Sequence, residues 1–300
     1  MAALERVRLI TNCYLQFMNA DIHDSYALDK IFNTFNPDSV IHFAGLKAVG
    51  ESTADPIKYY DVNVGGSISL LTAMSKAGCN NIVFSSSATV YGDPQYLPYD
   101  EEHPTHPVNP YGRSKLIIEN IIRDWIKVDT KRRGTILRYF NPVGAHESGL
   151  IGEDPIGIPN NLMPFIAQVA DGRRKHLNIF GNDYETADGT GARDYIHVVD
   201  LALAHTRALS QNKLDKFEVS NIGAGISTIV LELIKSFEET SGVTIKFKYL
   251  PRREGDLAIF WANSSKSSAK MSWKPERNIK KICEDTWCWH KLNPTGYGRE

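Results

Sequence analysis

Short apolar runs that lack clean alternation with polar residues recur along the first half of this chain, each separated from the next by a segment of helical spacing. The runs are Tyr14–Met18, Ser39–Phe43, Asn81–Phe84 and Thr135–Phe140. Between them come Ser25–Phe35, with Leu28, Ile31 and Phe32 turned inward, and a segment opened by Asp55-Pro56 that continues through Tyr59, Tyr60 and Val64 to Leu70, Leu71 and Met74. A third begins at Asn109-Pro110. A strand with one wet face alternates, whereas a strand covered on both faces reads as a continuous apolar run. The order strand–helix–strand–helix–strand–helix–strand therefore predicts an α/β fold with a doubly wound parallel sheet. A weaker helical pattern (Leu4, Val7, Leu9, Ile10) precedes it.

In such sheets ligands bind in the crevice at the carboxyl ends of the strands. Each run here hands over to small or polar residues at that end, and one hands over to Ser85-Ser86-Ser87. The Asn109 helix starts at the same side. Pro110 suits a first helical position, and Leu116, Ile117, Ile118, Ile121, Ile122 and Trp125 supply its apolar positions. Tyr111 and Lys115, four apart, share one face. An ammonium close to a phenol favours the phenolate and lowers a tyrosine pKa of ~10, which makes a tyrosine a general acid or base. A Tyr-x-x-x-Lys spacing also arises by chance on surface helices. Its position at the crevice favours catalysis.

Past residue 141 the texture changes. Residues 142–194 are rich in Gly, Pro and Asn, with a helical run Leu162–Ala170 and an apolar Leu177–Phe180. Asp194–Ser210 reads as strand then helix, with Val198, Leu201, Leu203 and Ala204 on the sheet. Phe217–Ile222 reads as another strand. Helix (Ile229–Phe237), strand (Thr244–Tyr249), a basic turn at Arg252–Asp256 and a Trp-rich helix close the chain. The expected division is a Rossmann-type domain, 1–141 with 195–225, and a smaller α/β substrate lobe, 142–194 with 226–300.

Three hundred residues, 42% of them hydrophobic, suffice for two such cores. A net charge of -1 argues against a nucleic-acid surface. No run approaches the ~18 apolar residues of a membrane span. Cys13, Cys79, Cys283 and Cys288 have neither metal-ligand nor disulfide-framework spacing, so a reducing cytoplasm fits, with Cys283 and Cys288 read as buried helix thiols. His42, His197 and His205 read as packed positions, and no histidine pair suggests a metal.

Taken together these residues resemble the UDP-glucose 4-epimerases of the extended short-chain dehydrogenase/reductase family, over nearly the whole chain. The resemblance rests on Asp21-Ile22, Phe43-Ala-Gly-Leu-Lys-Ala-Val-Gly-Glu-Ser52, Ser85-Ser-Ser-Ala-Thr-Val-Tyr-Gly92 and Tyr111-x-x-x-Lys115. Arg138-Tyr-Phe-Asn-Pro-Val-Gly-Ala145, Ile158-Pro-Asn-Asn-Leu-Met-Pro164, Gly189-Thr-Gly-Ala-Arg-Asp-Tyr195 and Arg252-Arg-Glu-Gly-Asp256 extend it. Tyr-x-x-x-Lys alone marks the superfamily; the longer blocks mark the epimerases. The resemblance implies NAD as cofactor, UDP-glucose and UDP-galactose as substrates, and a 4-keto intermediate. Tyr111 would be the acid/base, Lys115 would hold the nicotinamide ribose, and Ser87 would bond the 4-oxygen, while Ser85 and Ser86 satisfy backbone groups.

It assigns cofactor contacts to Asp21, Ile22, Phe43, Ala44, Gly45, Leu46, Lys47 and Phe140, and to Asn63, which stands one place past Val62 where the family has its asparagine. UDP-sugar contacts fall on Asn141, Asn160, Asn161, Leu162, Asn178, Phe180, Arg193, Arg253 and Asp256, with Arg252 left solvated. Phe260 matches the bulky residue that excludes an N-acetyl group. It also implies a homodimer through the Asp55 and Tyr111 segments. A dehydratase or decarboxylase would need an acid pair at Ala88-Thr89-Val90, where there is none.

A dinucleotide fold should open with a strand, a Gly-rich turn and a helix whose N-terminus takes the pyrophosphate. The sequence shows no such turn, so it reads as a family member without its first roughly 35–40 residues, about one βαβ unit. That leaves a second expectation, a UDP-sugar-binding protein that holds NAD poorly and exposes sheet edges.

Overall fold

The computed structural model describes residues 2–298 except 156, 158, 160, 211–214 and 254. In chain order the first elements are α1 (Ala2–Thr11), α2 (Ser25–Phe35), β1 (Val40–His42), α3 (Val49–Ala54) and α4 (Pro56–Tyr59), then a π-helical turn (Tyr60–Gly65) and α5 (Gly66–Ala77). β2 (Asn81–Ser85), α6 (Pro110–Lys127), β3 (Arg133–Tyr139), β4 (Asn141–Val143), α7 (Leu162–Ala170), β5 (Leu177–Phe180), β6 (Ala192–Arg193) and β7 (Tyr195–His197) follow. The remainder is α8 (Val198–Ser210), β8 (Phe217–Ile222), β9 (Thr228–Ile229), α9 (Val230–Ser241), β10 (Phe247–Leu250), β11 (Ile259–Phe260), α10 (Ser265–Met271) and α11 (Ile279–Leu292).

Strands β1, β2, β3 and β8 form a parallel sheet in that order. Ile82, Phe84 and Ile136 point to one face, where Leu28, Phe32, Leu70, Met74, Ile118 and Ile122 of α2, α5 and α6 cover them. Val83 and Leu137 point to the other, against Leu201 and Ala204 of α8. Both faces are dry, which is why the strands do not alternate. The second lobe has its own core of Met163, Ile166, Leu177, Ile179, Leu233, Phe237 and Ile282.

Local signals account for the helix ends. The Asp24 carboxylate caps α2 by accepting from Ala27 N–H at 2.9 Å, and Asn109 caps α6 by accepting from Gly112 N–H at 2.8 Å with Pro110 at the first position. The stretch from Pro56 to Ala77 is helical throughout but under-wound into the π turn in its middle. Such turns cluster at functional sites. This one carries Asn63.

Several expectations fail for identifiable reasons. Tyr14–Met18 is not a strand: a strand exists only by pairing, and among the described residues β1 bonds to β2 alone. Tyr14 and Phe17 stand 78% and 55% exposed. Val198 and Leu203 face outward, leaving Leu201 and Ala204 to make the contact with the sheet. Ile117 is also exposed. Residues 244–246 stay out of β10 because Ile245 N–H donates to Glu238 Oε1 at the end of α9. Cys288 is half-buried rather than buried, while Cys283 is fully buried. Met271 and Trp273, placed by the sequence in the smaller lobe, pack under the main sheet with α8.

His42, at the end of β1, is buried and holds Ser67 Oγ at 2.8 Å. Ser67 spends its own proton on Asn63 O, so the imidazole donates through Nε2. Burial, with the Lys115 charge nearby, depresses its pKa to about 3. The unfolded chain then binds a proton below ~6.5 that the folded chain refuses, and stability falls as pH falls. Going from pH 7 to pH 5 should cost about 2 kcal/mol through this group. Urea midpoints at the two pH values measure it, and His42→Gln should shrink the difference; an unchanged difference would refute the assignment.

Candidate active site

The carboxyl end of β2 runs from Ser85 through Ser86 and Ser87 into a 3-10 turn at Ala88–Val90. Ser87 Oγ accepts from Thr89 N–H at 3.2 Å and from Thr89 Oγ1 at 2.9 Å. With its acceptor capacity used, its own proton is free for the Tyr111 phenol, whose pKa the serine lowers. Tyr111 is 6% exposed. Burial pushes its pKa well above the ordinary tyrosine value, and the Ser87 bond offsets part of that rise.

Lys115 does lie on the same helix face, but it does not lower the tyrosine pKa here. Its Nζ turns toward the sheet, donating to Ser85 O at 2.9 Å and sitting 4.8 Å over the Phe84 ring, 5.9 Å from the Tyr111 ring centroid. Burial drops its own pKa to about 8, against a countervailing pull from Glu119. Glu119, wholly buried, forks onto Arg138 at 3.1 and 2.7 Å and accepts from Ser86 Oγ at 2.6 Å. Helix, strand end and β3 are thereby tied together behind Ser87. Neither Glu119 nor its partnership was read from the sequence; a carboxylate inside the apolar stripe of Ile118 and Ile122 was the available signal.

Phe43, Ala44, Gly45 and Lys47 form an exposed rim at the carboxyl end of β1, with Leu46 half-buried among them. Asn63 is a correction. It is 1% exposed, and its amide is spent on Leu46 N–H (2.7 Å), Leu46 O (3.1 Å) and Ser114 Oγ (3.0 Å). It shapes the rim from behind instead of reaching into a ligand. Gly45 permits this, since at φ +150° an added Cβ would sit 2.9 Å from the Asn63 oxygen. Asp21 is exposed and accepts from the backbone and ring of His23, whose N–H bond chiefly holds the carboxyl below its usual range. Ile22 is tucked against Gly66.

The assigned substrate residues gather around a cavity of about 250 Å³. Asn141, Asn161, Leu162, Asn178, Phe180, Arg193, Arg253 and Asp256 all line it; Asn160 lies outside the described residues. Arg253 forks onto Asp256 at 2.8 and 3.2 Å and lies 4.8 Å over the Phe180 ring, while Arg193 stands 3.9 Å from Asp256. Arg252 is held outside by Asp183. Tyr111, Lys115 and Ser87 are not in the cavity wall. Phe140 and Phe260, 4.9 Å apart between ring centres, stack with Tyr99 in one cluster, and Asn141 next to Phe140 belongs to the wall.

Asp194, also unread, clamps the junction of β6 and β7 by accepting from Ala224, Gly225 and Ala262 N–H at 2.6–3.1 Å. The cavity wall further includes Phe165, Arg174, His176 and Tyr184, none of which the sequence singled out.

A parallel doubly wound sheet, a buried tyrosine–serine pair with a lysine one helical turn on, and an adjoining cavity with paired arginines define a short-chain dehydrogenase/reductase working on a nucleotide-linked substrate. The family model described as GDP-mannose 4,6 dehydratase matches residues 2–286. The chain is 51% identical over 300 residues to the human UDP-glucose 4-epimerase, covering 99% of this chain and 86% of that protein. The crystal structure of UDP-glucose 4-epimerase from Bifidobacterium longum, in complex with NAD+ and UDP, superposes with a TM-score of 0.93 at 48% identity, over 98% of this chain and 88% of that one. That from Stenotrophomonas maltophila, with bound NAD and formylated UDP-arabinopyranose, gives 0.94 at 45% identity, over 97% and 87%. The chain belongs to the UDP-glucose 4-epimerase family.

Proposed function

We propose that this chain interconverts UDP-galactose and UDP-glucose through a 4-keto sugar, with Tyr111 moving the proton of the 4-hydroxyl. The observation that carries the reading is the buried Tyr111 phenol with Ser87, fixed by Thr89, acting on it at the strand end, beside a cavity whose arginines suit a diphosphate. Thr89 fixes Ser87, Ser87 donates to the phenol oxygen, and the phenol exchanges a proton with the sugar oxygen. Arg193 and Arg253 hold the diphosphate, so the sugar alone is left to turn over at the tyrosine.

NAD fits at the catalytic end. Lys115 Nζ, buried, makes one bond to Ser85 O, which leaves two N–H groups for a ribose hydroxyl, and the Phe43–Lys47 rim adjoins it. Bound there, NAD would supply reversible hydride acceptance at C4 of the sugar. No Gly-rich turn leading into a helix appears among the described residues, so NAD should be supplied in excess when the 300-residue chain is assayed. Conversion of UDP-galactose by the purified chain tests the proposal, and binding of UDP without conversion refutes it. The apolar flanks of Thr89, Ala88 and Val90, both buried, bring no carboxylate to it from the chain on either side, which favours epimerisation over dehydration.

Phe260 packs on Tyr99 and on Phe140, the chain neighbour of Asn141 in the cavity wall, and we assign it to the sugar end of the site. Turnover of UDP-N-acetylglucosamine should lag that of UDP-glucose by one to two orders of magnitude, about what a steric mismatch of a few atoms gives. Phe260→Cys should narrow that gap. Equal kcat/KM for the two sugars in the unaltered chain would contradict the assignment.

We further propose a homodimer in a reducing cytoplasm. Val49, Ile57, Ile68 and Ile117, on α3–α6, are 39–75% exposed, the composition of a helix-face contact, and all four cysteines are unbonded. No described helix is long and apolar enough to cross a membrane. Sedimentation should give twice the 33.6 kDa chain mass, and Ile57→Lys with Ile117→Glu should return it to one chain. A monomer in the unaltered protein would end this proposal.

A further inference from the structure

Asn161 stands in the cavity wall immediately before α7, in the place from which an asparagine ordinarily caps a helix. Its side chain makes no such bond. Pro164, at the third helical position, has no N–H to offer, and the amide is drawn elsewhere: Asn161 Nδ2 donates to Glu153 Oε1 at 3.3 Å. An ionised carboxylate only accepts, so this bond decides which end of the amide meets Glu153. Oδ1 and the second N–H are left for the cavity.

The loop that carries Glu153 is fixed by its backbone, independently of the carboxylate. Arg6 of α1 lies over the rings of Trp289 and Tyr297, and its Nη1 donates to Leu150 O at 2.9 Å and to Asn293 Oδ1 at 2.6 Å. Asn293 Nδ2 in turn donates to Gly149 O at 2.8 Å. The Tyr297 hydroxyl accepts from Gly152 N–H at 3.2 Å and donates to Gly152 O at 3.1 Å, and Trp289 Nε1 donates to Glu153 O at 3.3 Å. Burial raises the Glu153 pKa, while the Lys47 ammonium, from the rim at the end of β1, and the Asn161 amide pull it back.

We propose that Glu153 is a positioning residue of the reaction, its carboxylate diverting the Asn161 amide from the helix cap and holding it toward the UDP-sugar. The inference rests on the UDP-sugar reading of the cavity. Without the carboxylate the amide is free to turn or to cap Met163 N–H, and binding must then order it again.

Calorimetric titration of the 300-residue chain with UDP-galactose, without added NAD, reads the effect, and steady-state kinetics at saturating NAD divides it between KM and kcat. Glu153→Ala should weaken UDP-galactose about three- to tenfold, the net worth of one hydrogen bond. KM should rise by a similar factor with kcat within about twofold, at an unchanged thermal midpoint. Glu153→Gln, whose carbonyl still accepts from Asn161 Nδ2, should recover most of the loss. In an Asn161→Ala background Glu153→Ala should add nothing, because the two side chains act as one unit. Equal losses in both backgrounds, no loss in the unaltered background, or a kcat that falls together with the thermal midpoint would overturn the proposal while leaving the UDP-sugar reading intact. Failure of the unaltered chain to bind UDP-galactose would overturn both.

Discussion

Tyr111→Phe should lower kcat for UDP-galactose conversion about 10³-fold, within the range that one positioned acid/base supplies. It should leave UDP affinity within a factor of two or so, because the phenol is outside the cavity wall that holds the nucleotide. The size of the effect follows from the surroundings of the phenol. Buried, it sits well above its ordinary pKa, and Ser87, locked by Thr89, offsets part of that rise. Ser87→Ala should cost less, since it removes the donor and leaves the acid/base. Steady-state kinetics on both variants, with UDP binding measured alongside, separates these roles. Equal losses of affinity and rate in Tyr111→Phe would show a role in binding instead.

The largest expected effect on stability belongs to the pair behind the site. Glu119→Ala strands the Arg138 guanidinium, 4% exposed and lying 4.9 Å over the Tyr91 ring, with no anion to meet it. Breaking a buried pair from one side costs roughly 3–5 kcal/mol, whereas replacing both members by apolar residues can be close to neutral. Glu119→Leu combined with Arg138→Met should therefore recover much of what Glu119→Ala loses. Denaturant unfolding of the single and double variants gives the coupling directly. A Glu119→Ala loss under 1 kcal/mol would show that the pair does not hold the strand end. Ser86, which donates to Glu119, is expected to loosen with it, so the double variant should be stable yet slow.

How much of this was legible in the residues depends on the range over which the determining interaction acts. The bounds of α2, α7 and β5 follow from local spacing and turn residues, and the structure reproduces them. Tyr14–Met18 has strand composition, but pairing is decided by a neighbour, which the segment itself does not encode. The i,i+4 spacing of Tyr111 and Lys115 holds, yet the direction of Nζ was set by Ser85 O and Phe84 on another element. The pKa of a buried group is likewise a tertiary property. Asn63 was visible as a polar residue near the rim, while its commitment to Leu46 depended on the π turn.

The most direct measurement is 1H NMR of the purified chain with UDP-galactose and saturating NAD. UDP-glucose should appear and approach the same final ratio from either sugar, and Tyr111→Phe should be almost silent at equal concentration. A chain that binds UDP, is saturated with NAD and leaves UDP-galactose unchanged would contradict the account.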